Sequence, residues 1–297
     1  MAGASVSDAQ EAQLQTRRLA NNHYENFSVV SLLLPKHLRQ DFCNIYAFCR
    51  VADDLGDETG NREESLRLLA DFRKQTIDCF AGRAATPVFV ALTRTIESHQ
   101  LPAQPFLDLI DAFEQDQRIL RYQTYDQVLD YCRRSANPVG RLVLYLCGYR
   151  DELRQLLSDD ICTALQLANF WQDVRRDILD RDRIYISQDS MARFNVTEAQ
   201  IAAGKCDDNF RSLIRFEVNR TADLFDRGSA LLPFLRPSVR MQISLFNRGG
   251  RAVLSAIRRQ KYDTLSRRPA LSKLQKGGLI CSTLAAFAGR LVTGGSR

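Results

Sequence analysis

The sequence predicts an all-α protein. Strand-like alternation is almost absent, Pro and Gly punctuate the chain at intervals of a helix length, and the segments between them open on helix-start residues. Helices are expected at Pro35–Asp54, Arg62–Ala81, Pro87–His99, Pro102–Leu120, Tyr125–Cys147, Asp151–Asp180, Asp208–Leu232, Ser238–Arg259 and Ala270–Val292. Several begin with Pro or follow Ser, Thr or Asp; Thr124-Tyr125-Asp126 is one such start. Ile184-Tyr185-Ile186 alternates but is too short to build a sheet. Irregular stretches are expected at Arg181–Thr197 and Gly204–Asp207.

A length of 297 residues fits about two domains. No linker rich in Gly, Ser or Pro divides the chain and no repeat recurs, so residues 1–297 are read as one helical domain. With 45% apolar and 26% charged residues, disordered, collagen-like and low-complexity classes are excluded. The net charge is +6, with Arg scattered and in modest excess after Arg211. That pattern is a solvated surface rather than a nucleic-acid stripe, and it leaves weak attraction to anionic membranes or diphosphates open. The eight cysteines contain no C-x-x-C pair and there are three histidines, so neither a zinc site nor a disulfide framework is expected. Buried free thiols and a reducing compartment fit better.

The first 25 residues hold acids, Arg17 and Arg18 but no apolar run, so no signal peptide is expected. Gly277–Val292 is apolar but contains Arg290 and is too short to span a bilayer. It is expected to be a terminal helix, at most touching a membrane. The expected location is the cytoplasm, with peripheral contact to the inner membrane left open. The sequons at Asn26 and Asn195 carry no meaning in a cytosolic chain.

The first motif of chemical interest is Arg50-Val51-Ala52-Asp53-Asp54-Leu55-Gly56-Asp57-Glu58. At 100° per residue, Phe42, Ile45, Tyr46 and Cys49 share an apolar face. Asp53 falls in its middle and Asp57 at its edge. A bare buried pair of carboxylates is costly. Cations placed between them and an anionic ligand remove that cost, and Mg²⁺ suits a few carboxylates plus substrate phosphates. The competing reading is a solvated helix end, which Asp54 and Glu58 fit well.

The second motif is Gln166-Leu167-Ala168-Asn169-Phe170-Trp171-Gln172-Asp173-Val174-Arg175-Arg176-Asp177. Gln166, Asn169, Asp173 and Asp177 form a stripe, and the apolar residues around it predict a central helix. A buried polar network completed by Arg from a neighbouring helix is the competing reading. Two Asp pairs on separate helices, facing each other across a cavity, could hold Mg²⁺ ions around a diphosphate, with the metals neutralising a departing leaving group. The carbocation left behind would need an apolar, aromatic-lined pocket. Phe27, Tyr46, Phe48, Phe170 and Trp171 are candidates for that lining, each also an ordinary core residue.

These residues resemble the squalene/phytoene synthase family, the head-to-head branch of the trans-isoprenoid synthases. The resemblance runs from His23 to about Leu271. It is carried by Tyr46-Ala47-Phe48-Cys49 before Arg50, Asp53 and Asp57, and by Gln166, Asn169, Asp173-Val174 and Asp177 before Arg183-Ile184-Tyr185. It implies an all-α isoprenoid-synthase fold with helices around a large central cavity. Metal binding by Asp53, Asp57, Asn169, Asp173 and Asp177 is implied, with two or three Mg²⁺ ions on the diphosphate. Substrate contacts are implied at His23, Phe27, Arg50, Gln166, Arg183 and Tyr185.

Departures from the family pattern narrow the reading. Many members have Arg-Asp at the second motif, where this chain has Gln172-Asp173, and an Ala-Gly-Thr-Val-Gly segment where it has Ser135-Ala136-Asn137-Pro138-Val139-Gly140-Arg141. Pro138 must interrupt the helix, either as a kink or as the start of a new helix. These features resemble the hydroxysqualene synthase branch of bacterial hopanoid pathways. By that resemblance the substrate is presqualene diphosphate, water quenches the rearranged cation, and NADPH is not required. Tyr46, Tyr131, Arg134, Asn137 and Gln172 are the candidate catalytic residues, the last four for positioning the water. The alternatives are condensation of farnesyl diphosphate to presqualene diphosphate, squalene or a carotenoid precursor, and, ranked lower, a non-catalytic assembly factor. A loose basic cluster of Arg258, Arg259, Lys261, Arg267, Arg268, Lys273 and Lys276 is a solvated surface or, in the context of the resemblance, in part a contact for the diphosphate or for anionic lipid. No nucleic-acid partner is expected, and pathway-enzyme partners are not legible.

Overall fold

A computed structural model describes residues 6–22, 35–272 and 274–283. Among the described residues the chain is built of helices, with no strand beyond one isolated bridge. The helices group into two compact units, interleaved in sequence. One comprises residues up to Ile119 plus Arg134–Gln155; the other comprises Leu120–Arg133 plus Leu156 onward.

The first unit holds α1 (Val6–Asn22), a short 3₁₀ turn (Lys36–Leu38), α2 (Arg39–Asp57), α3 (Arg62–Phe80), α4 (Pro87–His99) and α5 (Gln104–Asp116). After α6 (Tyr125–Ser135), the chain returns to it with α7 (Asn137–Leu146). Phe48 of α2 is fully buried, its ring 4.9 Å from Phe72, 6.0 Å from Phe89 and 5.0 Å from Phe106. One aromatic from each of α2 to α5 thus meets at one point, which fixes α2 as the axis of the unit. A polar pin lies alongside. Thr16 donates to Asn44 Oδ1 at 2.7 Å, and the Asn44 amide donates to Ala91 O and Thr95 Oγ1, both at 3.0 Å. The polar groups of this pin are partnered, so their burial costs little.

Helix α1 is absent from the sequence expectation. Its buried stripe is Ala12, Thr16 and Ala20, small residues that carry little hydropathic signal but let the helix lie close to α2 and α4. The expected helix Tyr125–Cys147 is two helices. Ala136 leaves the helical region (φ −122°, ψ −47°), and Pro138 sits in the first turn of α7, where its missing N–H costs nothing. Pro likewise stands in the first turn of α4, α5 and α12 (Pro237–Arg259).

The second unit is organised on α8 (Glu152–Arg181), followed by α9 (Gln188–Arg193), α10 (Glu198–Ala202), α11 (Asp208–Gly228), a 3₁₀ turn (Ser229–Phe234), α12 and a helix over 274–283. Trp171 is fully buried and donates its indole N–H to Thr221 Oγ1 at 2.8 Å, and Thr221 donates in turn to Glu217 O. Two glycines set the helix spacing. A Cβ on Gly228 would lie 2.5 Å from Ile161 Cγ1 and 3.0 Å from its backbone N, and one on Gly250 would overlap the Phe225 ring. The stretch 181–197, expected to be irregular, contains α9. It is also tied down by a parallel bridge between Arg121 and Ile184, with the Gln188 N–H donating to Tyr122 O at 2.8 Å. The alternation at 184–186 therefore does report backbone pairing. All eight cysteines are free thiols, as expected.

Behind the Ile161 side chain, the Gly228 site is walled by backbone, Ile161 N at 3.0 Å and Leu157 O at 3.1 Å, which gives way less readily. Gly228→Ala is expected to destabilise the protein by about 1–3 kcal/mol, read as a lower midpoint in denaturant unfolding.

Candidate active site

The first acidic motif closes α2. Along its stripe Phe42 and Ile45 are buried, while Tyr46, Cys49, Asp53 and Asp57 are half-buried, so the stripe emerges from the core as it turns acidic. Asp53, Asp54 and Asp57 occupy the last turns of the helix and Glu58 is its C-cap. This end carries the negative pole of the peptide dipoles, the wrong place for four carboxylates. Arg50 offsets the repulsion. Its Nη1 lies 3.1 Å from Asp53, and its Nη2 contacts Asp54 and lies 2.7 Å from Glu58. Desolvation, with the Asp53 charge second, pushes the Cys49 thiol up to about 12.

The second motif closes α8 in the same way. Asn169 is exposed, Gln166 and Asp173 are half-buried, and Asp177 is buried, one turn before the helix ends at Arg181. Burial, reinforced by the Asp173 charge, pushes the Asp177 carboxyl up to about 7, against the pull of Arg181, Arg183 and Arg176. Asp173 is held by both nitrogen edges of Arg268, Nη2 lying 2.9 Å from Oδ2 and Nε in contact with Oδ1. The pair holds the Arg268 guanidinium above its ordinary range. The competing sequence reading, an Arg partner for this stripe, is thus met, but by a loop and not by a neighbouring helix. A groove of about 350 Å³ opens here, lined by Gln172, Asp173, Arg175, Arg176, Leu179, Asp180 and the segment Thr264–Arg268.

Beside the motif lies an aromatic cluster. The Tyr185 ring stacks on Phe170 at 3.7 Å and 4°, and lies 5.5 Å from Tyr131 and 5.9 Å from Tyr122. The backbone pairing of Tyr122 with Gln188 and of Leu120 with Ile184 is what places Tyr122 and Tyr185 together. Arg183 is buried and donates its backbone N–H to Asp177 O at 3.0 Å, tying this loop to the acidic motif.

The remaining candidates are distributed between the two units. In the first, Arg134 donates to Gln115 Oε1 at 2.7 Å and Asn137 is buried at the start of α7. In the second, Tyr131 is buried in the aromatic cluster, and Gln172 is buried with its amide donating to Pro269 O. Phe48 and Trp171 are core residues without exposed ring surface, the core reading of these aromatics rather than the cavity-lining one. His23 and Phe27 lie outside the described residues. Two residues join the site that the motifs did not assign to it, Arg175 and Arg268, the latter expected only within a loose basic cluster, part of which could meet the diphosphate. The Arg175 guanidinium lies against Gly204, where a Cβ would meet its Cζ at 2.9 Å, and its Nη1 donates to Leu265 O at 3.2 Å. No local pattern announces the hydrogen bonds of Arg175 to Leu265 and of Arg268 to Asp173, since they join residues 90 or more positions apart.

Among the described residues no three His, Cys, Asp or Glu side chains converge into a self-sufficient metal cage. What each motif offers is a pair of hard oxygen donors with an electrostatic deficit, one end of it covered by a guanidinium.

A model of squalene/phytoene synthases matches residues 20–275. A phytoene synthase of Arthrospira platensis is 30% identical, with 97% of this chain and 96% of that protein covered. A hydroxysqualene synthase of Zymomonas mobilis is also 30% identical, with 98% and 99% covered. The crystal structure of the squalene synthase HpnC from Alicyclobacillus acidocaldarius superposes with a TM-score of 0.82 at 45% identity, over 87% of this chain and 97% of that one. A dehydrosqualene synthase shares the fold, with a TM-score of 0.85 at 22% identity over 95% of this chain and 99% of that one. The fold is therefore the all-helical isoprenoid-synthase type. The chain belongs to the squalene/phytoene synthase family, whose members are head-to-head isoprenoid synthases.

The raised Asp177 carboxyl has a consequence for stability. Its folded value exceeds the unfolded one, so the neutral form is favoured by folding. The associated stability is complete below the unfolded value near 4 and is lost as pH rises through about 7. Asp177→Asn is therefore expected to raise stability at pH 8 by on the order of 1–2 kcal/mol and to leave it nearly unchanged at about pH 3.5, below the unfolded value. Thermal unfolding at the two pH values checks this.

Proposed function

We propose that the chain ionises presqualene diphosphate and delivers water to the rearranged cation, giving hydroxysqualene and diphosphate. One observation carries the ionisation step: two paired carboxylates, each at the carboxyl end of a helix, each with its leading Asp on a guanidinium. Such sites are built to receive positive charge. The donors are hard oxygens, two to a motif and short of a full cage, which fits Mg²⁺, an ion that keeps waters and takes substrate phosphate oxygens. Mg²⁺ held there supplies Lewis-acid neutralisation of the leaving diphosphate.

In this reading Asp53 and Asp57, with Asp173, Asp177 and Asn169, hold the ions, and Arg50 holds the diphosphate. The carbon–oxygen bond breaks with its electron pair leaving on the diphosphate. The cyclopropylcarbinyl cation rearranges, and a water oxygen captures it and loses a proton. Tyr131, Phe170 and Tyr185 present π faces suited to a passing cation and an apolar wall against stray water. Gln166, Arg183 and Tyr185, with His23 and Phe27, would contact substrate. Tyr46, Arg134 and Asn137 complete the candidate set. Gln172, committed to Pro269, would act by holding the loop. The choice of presqualene diphosphate over farnesyl diphosphate rests on the Ser135–Arg141 segment and Gln172, and on the likeness to proteins named hydroxysqualene synthase and HpnC.

Purified protein incubated with Mg²⁺ and presqualene diphosphate, without NADPH, is expected to yield hydroxysqualene. Consumption of farnesyl diphosphate with no hydroxysqualene from presqualene diphosphate would replace this reading by the condensation reaction. Asp53→Asn and Asp173→Asn are each expected to lower turnover by at least about a hundredfold with helicity unchanged by circular dichroism.

No helix among the described residues is long and apolar enough to cross a membrane. A cytoplasmic enzyme that meets the membrane surface through exposed Arg258, Arg259, Lys261 and Arg267 fits both the apolar substrate and this charge. Salt-sensitive co-sedimentation with anionic vesicles is the expected result.

A further inference from the structure

The segment 260–269 lies along α8 as a strap with its backbone fixed at several points. Gln260 donates to Asp263 O at 2.9 Å and to Arg267 O at 3.0 Å, and Asp263 Oδ1 accepts from the Ser266 N–H at 3.0 Å. Arg211 donates to Lys261 O at 2.7 Å. On α8, Arg175 holds Leu265 O and Gln172 holds Pro269 O. Between these last two anchors stands Arg268, whose side chain is half exposed and whose guanidinium spans both oxygens of Asp173.

Two features set this pair apart from an ordinary surface bridge. The carboxylate it covers is the more accessible member of the Asp173/Asp177 pair, the one a solvated ion would meet first. The backbone on either side of Arg268 is tied down by hydrogen bonds that do not involve Asp173, so the guanidinium can swing away by side-chain rotation alone. A two-pronged arginine grip and a divalent cation compete for the same two oxygens.

We infer that Arg268 is a gate on the second acidic motif: its guanidinium occupies Asp173 when no divalent cation is bound, and must leave before one can be held there. The inference rests on the metal-binding reading of Asp173 proposed above. The displaced guanidinium is left in a groove with Arg175, Arg176 and Arg267, where an incoming anion would take up its charge. Cation and anion binding are thereby coupled through one side chain. The gate also keeps the acidic pair from loading stray cations while no anionic ligand is present.

The test is a titration of the full-length protein with Mn²⁺ alone, following free Mn²⁺ by electron paramagnetic resonance, so that no turnover is involved. Arg268→Gln is expected to bind Mn²⁺ about five- to tenfold more tightly than the unaltered protein, the scale of one lost charge-assisted contact. Arg268→Lys, which keeps the charge but loses the two-pronged grip, is expected to fall between. In the Asp173→Asn background the Arg268→Gln change is expected to have no effect, which separates competition at Asp173 from a general loss of positive field. If Arg268→Gln leaves Mn²⁺ affinity unchanged or weakens it while Asp173→Asn abolishes binding, the gate is overturned and the metal reading stands. If neither the unaltered protein nor any variant binds Mn²⁺, both fall.

Discussion

Both acidic motifs are governed by where they sit on their helices. Peptide dipoles sum to partial negative charge at a helix carboxyl end, and this chain puts three carboxylates in the last turns of α2 and three more near the end of α8. Folding alone would place lysine or arginine there. The molecule accepts the unfavourable field and answers it with a small number of guanidinia: Arg50 from within α2, and Arg268 from the strap beside α8. At Asp177, with Arg181 4.0 Å away, burial and the Asp173 charge make the carboxyl hold its proton to higher pH. Stability has been spent to keep hard oxygen donors short of positive charge.

The rest of the architecture keeps these helix ends in place. The four-phenylalanine cluster around Phe48 makes α2 the least movable element of its unit, so the emergence of its stripe at Cys49 and Asp53 is a fixed feature. In the other unit the glycine contacts at Gly228 and Gly250 and the Trp171–Thr221 bond hold α8 against α11 and α12. The aromatic wall of Tyr122, Tyr131, Phe170 and Tyr185 depends on a few backbone hydrogen bonds between two loop segments. This division suits a family whose named members make different products on one fold.

What was legible in the sequence follows from the range of the interactions concerned. Helices with large apolar stripes announce themselves by period, and the spacing of Asp53 to Asp57 and of Asp173 to Asp177 is readable because both members lie on one helix. Helix α1 escaped because Ala12, Thr16 and Ala20 pack by being small, which no hydropathy pattern reports. The division of 125–147 was half legible: Pro138 signalled an interruption, but whether the helix bends or restarts depends on the backbone at Ala136. The pairing of Arg268 with Asp173 and of Arg175 with Leu265 was illegible because the partners lie 90 or more positions apart and no local rule links such distant groups. Phe48 and Trp171 could be read as cavity aromatics or as core, and they are core. Residue type alone does not distinguish a ring that faces substrate from one that faces a neighbouring helix.

The interleaving of the two units has a consequence for how this scaffold can change. The chain passes from one unit to the other after Ile119, after Arg133 and after Gln155, so neither is a continuous stretch of sequence. A single crossover between related genes at any of these points therefore divides at least one unit, and a truncation there leaves at least one incomplete. The Ser135–Arg141 segment lies just past the second of these passages, where a helix ends and a proline opens the next. Variation can enter there by substitution more readily than by insertion, because added length would shift the chain where it passes from one compact body to the other. Diversification of such a protein is thus channelled into side-chain replacement at a few fixed backbone positions, with the helical frame inherited as one piece.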